Sequence, residues 1–401
     1  MSDLAFDPSR ISDAVSKASS EFLIPTYRRY PVEFVRGENC TLWDVAGNEY
    51  LDCLAGLSVV SVGHCRGEVT AAVCEQMAKL VHVSNIFYTA PQFELAKRIH
   101  DLAGWGRVFF SNSGAEANEC ALKLARRYGN LSMNGATAVV SLKKSFHGRT
   151  MGTLAMTAQP EKHEGFEPML GEMRYVESGD EEALESALDG ACAVFVEVIQ
   201  GEGGVLPVGT EYLKSVREMC DSRGALMVVD EVQTGLCRTG NWLAFEAHGF
   251  TPDIYTLGKA LGNGLPIAAT VARDDLAELM GPGTHGTTMG GGPVTSSAAL
   301  AVLGVMESEN LHLAAAQAGA ALRERLEAID GVESVRGEGL LLAAELEKSS
   351  AEVVEAALGH GLVVNAVTST AVRFAPPLTI GTAEIDAAAE RFEKSIRGAA
   401  A

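Results

Sequence analysis

From about residue 68 to 275, stretches of helical periodicity alternate with short apolar runs at 107–110, 136–142, 191–199, 225–229, 254–257 and 267–272. These runs are rich in Val, Ile and Phe and lack polar alternation. Strands covered on both faces read this way, with helices as crossovers, so the pattern predicts a mainly parallel α/β sheet. After residue 290 the texture changes. An Ala/Leu-rich helical stretch runs to Ile329, strand-like pieces follow at 340–345, 362–365 and 372–374, and a last helix carries Ile385, Ala388, Ala389, Phe392 and Ile396 on one face. This predicts a smaller α+β domain, joined by the N-terminal segment through Leu51. The expected units are 1–55, an N-terminal segment; 56–309, a large domain; and 310–401, a small C-terminal α+β domain.

Composition narrows the class. With 401 residues, the chain has room for two or three domains of about 150 residues and a large core. Asp and Glu number 52 against 32 Lys and Arg, a formal charge of −20, which repels phosphate backbones and anionic bilayers. Nucleic acid and membrane are therefore not expected partners. No apolar run approaches the roughly 18 residues of a membrane span, and the acidic start MSDLAFDPSR does not suit a signal peptide. Eight scattered cysteines without a C-x-x-C pair read as reduced and mostly buried. A cytoplasmic protein is expected.

Four segments carry chemistry. In FFSNSGAEANECALKLARRYG, a small-residue loop opens a helix, where free amides and the dipole hold anions such as phosphate; Ser113 and Glu116 have capping-box spacing. An ordinary strand-turn-helix connection would read the same. In GALMVVDEVQTG, Asp230 ends an apolar strand, where open α/β sheets bind ligands, and a buried carboxylate there needs a cation or several donors. A helix-capping Asp is the plainer alternative. In DIYTLGKALGNGLPIAA, Lys259 sits among Gly258, Gly262 and Gly264. A desolvated lysine can lose its proton and attack a carbonyl, although most lysines are solvated. In AVFVEVIQGEGGV, Glu197 and Glu202 flank a glycine-rich turn, and HGTTMGGGP offers the hydroxyls of Thr287 and Thr288 beside glycines.

With S-G-A-E-A-N, D-E-V-Q and G-K-A-L-G in this order, the sequence resembles the class III pyridoxal-phosphate aminotransferases from about Tyr27 to Pro377. HVSNIF, SFHGRTMGTLAMT, HGTTMGG and VRFAPPL look most like the acetylornithine aminotransferase branch, which serves arginine biosynthesis. The resemblance implies the PLP-dependent transferase fold, with a mainly parallel seven-stranded sheet sandwiched by helices and a smaller α+β domain. It implies an enzyme moving the terminal amino group of N-acetylornithine to 2-oxoglutarate, and a homodimer with shared active sites. Lys259 would form the Schiff base with pyridoxal phosphate and shuttle the proton, while Asp230 would keep the pyridine nitrogen protonated. Ser113, Gly114 and Ala115 would hold the phosphate, with Thr288 reaching the cofactor of the neighbouring subunit. Gln233 would bond the ring hydroxyl, and Phe146 and Val232 would cover the two ring faces. Arg149 and Arg373 would bind substrate carboxylates, with Glu202 pairing to Arg373 when no second carboxylate is present. Tyr27 and Glu197 complete the implied substrate side.

Three departures from the family pattern bear on loop shape and donor choice: Val198 where proline is frequent, Gly292 in the G-G-N-P position, and Arg66-Gly67 after Gly63-His64-Cys65. Pocket shape rather than a motif reads the donor's acyl group, so ornithine, N-succinyl-diaminopimelate and 4-aminobutyrate remain alternative donors. An isomerase of the glutamate-1-semialdehyde aminomutase type is disfavoured by Arg373, which suits a second acid. His147 and His285 are expected in local hydrogen bonds, since no ligand cluster accompanies either and Lys259 serves as the base.

Overall fold

The computed structural model describes residues 11–399. All six apolar runs become strands of one seven-stranded sheet. Its order is Arg107–Ser111, Ala268–Ala272, Ile254–Leu257, Leu226–Asp230, Ala191–Val196, Ala138–Leu142 and Met173–Val176. Only Ala268–Ala272 runs antiparallel to its neighbours; the remaining pairings are parallel. Every residue of the four strands Ala138–Leu142, Ala191–Val196, Leu226–Asp230 and Ile254–Leu257 is buried, which is why these segments show no polar alternation. The seventh strand, Met173–Val176, escapes the apolar pattern because it lies at the sheet edge, where Arg174 and Tyr175 reach solvent.

Three further expectations are refined. The Ala/Leu-rich stretch is two helices, Pro293–Ser308 and Leu311–Glu327, because Asn310 takes a left-handed turn between them (φ 51°). The piece at 362–365 is divided between two sheets. Leu362–Val363 pairs in parallel with Glu49–Asp52, and Asn365–Ala366 pairs with Ala371–Phe374. The strand Val332–Glu338 had no counterpart in the periodicity; it alternates only partly and carries glycine at 337. It opens an antiparallel sheet that continues through Leu341–Leu346, Ala371–Phe374 and Asn365–Ala366. The final helix, Thr382–Gly398, buries Ile385, Ala388, Ala389, Phe392 and Ile396, the face read from spacing.

This arrangement brings the carboxyl ends of the central parallel strands together. Asp230 closes Leu226–Asp230, Glu197 follows Ala191–Val196, and Lys259 lies two residues beyond Ile254–Leu257. Open α/β sheets place their ligands at this edge.

Candidate active site

The helix Gly114–Ser132 begins where the edge strand Arg107–Ser111 ends. Ser113 is its N-cap, with Oγ accepting the Glu116 amide at 3.2 Å. The reciprocal half of a capping box is displaced by one residue: the Glu116 carboxylate accepts the amide and side chain of Asn112, at 2.6 and 2.9 Å, instead of the Ser113 amide. The amides of Gly114 and Ala115 have no acceptor within the helix and are available to an anion. A Cβ on Gly114 would stand 2.6 Å from Val232 Cγ1, so glycine allows the loop and Val232 to approach closely.

Asp230 is 4% exposed, and donors surround it. Its Oδ2 accepts Asn118 Nδ2 at 2.7 Å and His147 Nδ1 at 2.8 Å. Its Oδ1 accepts the Val232 amide at 3.0 Å, with Thr256 Oγ1 at 3.5 Å. A turn follows the strand, so Val232 and Gln233 diverge. Val232 faces Gly114 and Gly258, while Gln233 packs against Gly201 and donates to Ser58 Oγ at 3.3 Å. Ser58 reaches that position through a rare left-handed turn: Ala55, Gly56, Leu57 and Ser58 have φ of 50°, 61°, 70° and 64°. Three of these residues carry a Cβ, each at a cost of roughly 1–2 kcal/mol, and such strain concentrates at functional sites.

Lys259 also has left-handed backbone, at φ 41°. Burial pulls its ammonium below the ordinary lysine value and Arg373 adds to this, against the opposing pull of Glu202, Asp230 and Glu197. The balance is thereby moved toward the neutral amine. Glu197 is 6% exposed and accepts the Phe146 amide at 3.0 Å. Burial, with the Asp230 charge adding to it, pushes the Glu197 carboxyl up to about 7.

The turn between Ile199–Gln200 and Leu206–Pro207 presents Glu202, whose Oε1 accepts Arg373 Nη1 at 2.7 Å. Burial would raise the Glu202 carboxyl, but Arg373 outweighs it and holds the group below its ordinary value. Arg373 is fully buried; Nη1 also reaches Gly201 O at 3.2 Å and Nε donates to Asn365 Oδ1 at 3.1 Å. Its Nη2 is buried with no partner among the described residues.

The remaining residues spread outward. Phe146 is partly buried, and the exposed Arg149 stands with its guanidinium carbon 5.6 Å from the Phe146 ring centroid. Thr288 is exposed beside a hollow lined by Ser111, Asn112 and Glu116, next to Thr287, whose Oγ1 accepts Asn112 Nδ2 at 3.3 Å. Tyr27 is 75% exposed and lines a different cavity of about 450 Å³, with Tyr30, Leu358 and Leu362. His285 lies 2.9 Å from Lys123 Nζ, whereas His147 bonds a carboxylate 83 residues away. No sequence motif links Asn118 and His147 to Asp230, or Ser58 to Gln233. Asn118 had a signal, an amide set among the apolar positions Ala117, Cys120 and Ala121.

A desolvated lysine, a donor-ringed carboxylate at a strand end, a helix N-terminus and a buried guanidinium therefore meet in one place. The aminotransferase class-III family matches residues 25–396, and the chain belongs to it. Members of this class depend on pyridoxal phosphate, and the chain is accordingly an aminotransferase. It is 43% identical over 375 residues to the acetylornithine aminotransferase of Caldanaerobacter subterraneus subsp. tengcongensis, covering 92% of this chain and 95% of that one. It is 42% identical to the acetylornithine aminotransferase of Methanocaldococcus jannaschii, covering 92% and 94%. Among solved structures, an ornithine aminotransferase from Toxoplasma gondii superimposes with a TM-score of 0.93 at 33% identity, covering 98% and 95%.

Proposed function

We propose that this enzyme moves the terminal amino group of N-acetylornithine to 2-oxoglutarate, giving N-acetylglutamate 5-semialdehyde and glutamate. The observation that supports it best is the Arg373–Glu202 pair at 2.7 Å beside Lys259, read together with the acetylornithine aminotransferases above. One acid of the reaction brings two carboxylates and the amine donor brings its amine on a carbon with none. A guanidinium with a carboxylate that can leave suits both.

The residues fit pyridoxal phosphate: Gly114 and Ala115 amides with Ser113 for the phosphate, Asp230 for the ring nitrogen, Gln233 for the ring hydroxyl, and Phe146 and Val232 for the two faces. Bound there, the cofactor supplies an electron sink beside the carbon that loses its proton. Asp230, a buried carboxylate, holds a proton on the ring nitrogen. Lys259 Nζ would bind the cofactor and, once displaced by the incoming amine, would carry the proton released from the amine-bearing carbon. Arg149 binds the donor's α-carboxylate. Arg373 binds the carboxylate of glutamate or 2-oxoglutarate once Glu202 moves aside. Glu197 is assigned to the substrate side, whereas Tyr27, expected at the substrate mouth, lines the separate cavity beside Leu358 and Leu362 and is left out of the site.

A second copy of the chain completes each site in this proposal. Ile86, Phe87 and Tyr88 are 80%, 63% and 92% exposed, an apolar run of the kind that a partner covers. Neighbouring Asn85 donates to the carbonyls of Thr287 and Gly290, at 3.2 and 3.1 Å, tying that run to the Thr288 loop. We further infer three units, 1–55, 56–309 and 310–401; the pairing of Leu362–Val363 with Glu49–Asp52 supports joining the first to the third. A cytoplasmic location is supported by eight free thiols. Among the described residues, no helix is long and apolar enough to cross a membrane.

The test is glutamate formation from N-acetylornithine and 2-oxoglutarate, with borohydride trapping of the bound cofactor and peptide mapping. Turnover that is lost in Lys259→Ala, with the label on Lys259, is expected. A label on another residue would overturn the assignment.

A further inference from the structure

One rung of the small antiparallel sheet grips both ends of the turn that presents Glu202. Arg336 pairs with Ala343, Ala343 with Arg373 and Arg373 with Asn365, so these four side chains leave the same face of the sheet. Arg373 Nη1 reaches Gly201 O at 3.2 Å and Glu202 Oε1 at 2.7 Å. Two strands away, Arg336 Nε donates to Gly204 O at 2.7 Å.

The far end of the turn depends on that second arginine. Gly204 is buried, and a buried carbonyl needs a donor, which Arg336 supplies from a cation. The backbone of Gly204 has φ 121°, and a Cβ there would stand 3.1 Å from Thr368 Cγ2 and 3.4 Å from Arg336 Nη2, so glycine lets the guanidinium approach. Arg336 is itself braced, with Nη1 donating to Glu345 Oε2 at 2.6 Å and both side chains largely buried. On its other side the turn is wedged against the large domain, since a Cβ on Gly203 would lie 2.7 Å from Lys144 O. Arg373 has a separate brace, Asn365 Oδ1, which accepts its Nε at 3.1 Å. Loss of Arg336 therefore loosens the turn and leaves the substrate arginine anchored.

We propose that Arg336 is a positioning residue for Glu202: by fixing the Gly204 end of the turn it returns the Glu202 carboxylate to Arg373 whenever no substrate carboxylate is there. Arg336 thereby holds down the use of donors that carry a carboxylate on the carbon bearing the reacting amine. This rests on the carboxylate exchange at Arg373 given under the proposed function. Arg336 touches neither substrate nor cofactor in this scheme and acts through the turn alone.

The test uses the holoenzyme and the variants Arg336→Met, Glu202→Ala and the two combined, as a double-mutant cycle. One readout is the ratio of single-turnover rates with glutamate and with N-acetylornithine. The other is the dissociation constant of glutarate, a dicarboxylate without an amine to react. Arg336→Met is expected to raise the glutamate ratio about fivefold and to tighten glutarate binding by a similar factor, the scale of one hydrogen bond, because Glu202 competes less well for Arg373. In the Glu202→Ala background the same substitution is expected to change either readout by less than about twofold, because the group it positions is gone. If Arg336→Met fails to fold, Arg336→Gln carries the same comparison. An unchanged ratio, weaker glutarate binding, or an equal shift with and without Glu202 would overturn the proposal. Glu202→Ala separates the two levels: where it changes the ratio and Arg336→Met does not, only the positioning role fails; where Glu202→Ala changes neither readout, the exchange at Arg373 fails and the positioning role with it.

Discussion

Arg373 donates to Glu202 at 2.7 Å from one terminal nitrogen, while its other terminal nitrogen is buried and unpartnered among the described residues. A buried guanidinium left half satisfied is costly, and an incoming carboxylate offsets that cost by occupying both nitrogens. Arg373→Ala should therefore slow the half-reaction with glutamate by about a hundredfold, the scale of lost charge-assisted bonds, and the half-reaction with N-acetylornithine by much less. Glu202→Ala should leave Arg373 open and shift preference toward donors with an α-carboxylate. Single-turnover rates for the two half-reactions check both. Equal losses for Arg373→Ala in the two halves would remove the exchange.

The proposed sharing of active sites between two subunits makes a complementation test available. In mixtures of Thr288→Ala and Lys259→Ala chains, each heterodimer has one site with both lesions and one with neither. Activity should recover above that of either variant alone. Verified heterodimers without recovery would place Thr288 in its own chain's site.

Glu231 supplies a pH signature away from the chemistry. It is 1% exposed, accepts Thr234 Oγ1 at 2.6 Å and the Phe245 amide at 2.9 Å, and burial pushes it from 4.5 up to about 7. Between those values the folded chain holds a proton that the unfolded chain has released, so stability falls as pH rises through this window and levels off above it. Glu231→Gln cannot ionise. Its melting temperature relative to wild type should rise by a few degrees from pH 5 to pH 8; a difference independent of pH would contradict the assignment.

Gly129 sets helix propensity against space. Alanine is favoured over glycine in a helix interior by about 1 kcal/mol. At Gly129 the added Cβ would run into the Ala136 carbonyl oxygen and stand 2.7 Å from Cys192 Cβ. Overpacking against backbone costs about 1–3 kcal/mol, so the clash wins. Gly129→Ala should lose up to about 2 kcal/mol in denaturant unfolding; a gain would mean that the helix end shifts freely.

Five of the seven central strands were legible because both of their faces are covered, which writes an unbroken apolar run into the chain, and the edge strand Arg107–Ser111 was legible through Val108, Phe109 and Phe110. Met173–Val176 was not, since an edge strand can carry Arg174 and Tyr175 outward. The break at Asn310 closes the short polar run Glu307-Ser308-Glu309, which reads equally as the solvent side of a continuous helix, and one left-handed residue there separates the two helices. At the site, Asp230, Lys259 and the Ser113 loop stood out by position at strand and helix ends. The partners of Asp230 did not. His147 and Asn118 lie 83 and 112 residues from it, and such a contact is written only in the folded sheet. The left-handed turn at 55–58 was equally silent, because only one of its four residues is glycine.

The central claim, transfer of the amino group from N-acetylornithine, is tested most directly by kcat/KM for N-acetylornithine, ornithine, 4-aminobutyrate and N-succinyl-diaminopimelate, each paired with 2-oxoglutarate. The predicted result is the highest value for N-acetylornithine, with formation of glutamate. A higher value for ornithine or 4-aminobutyrate would contradict it and assign the pocket to an unacylated donor.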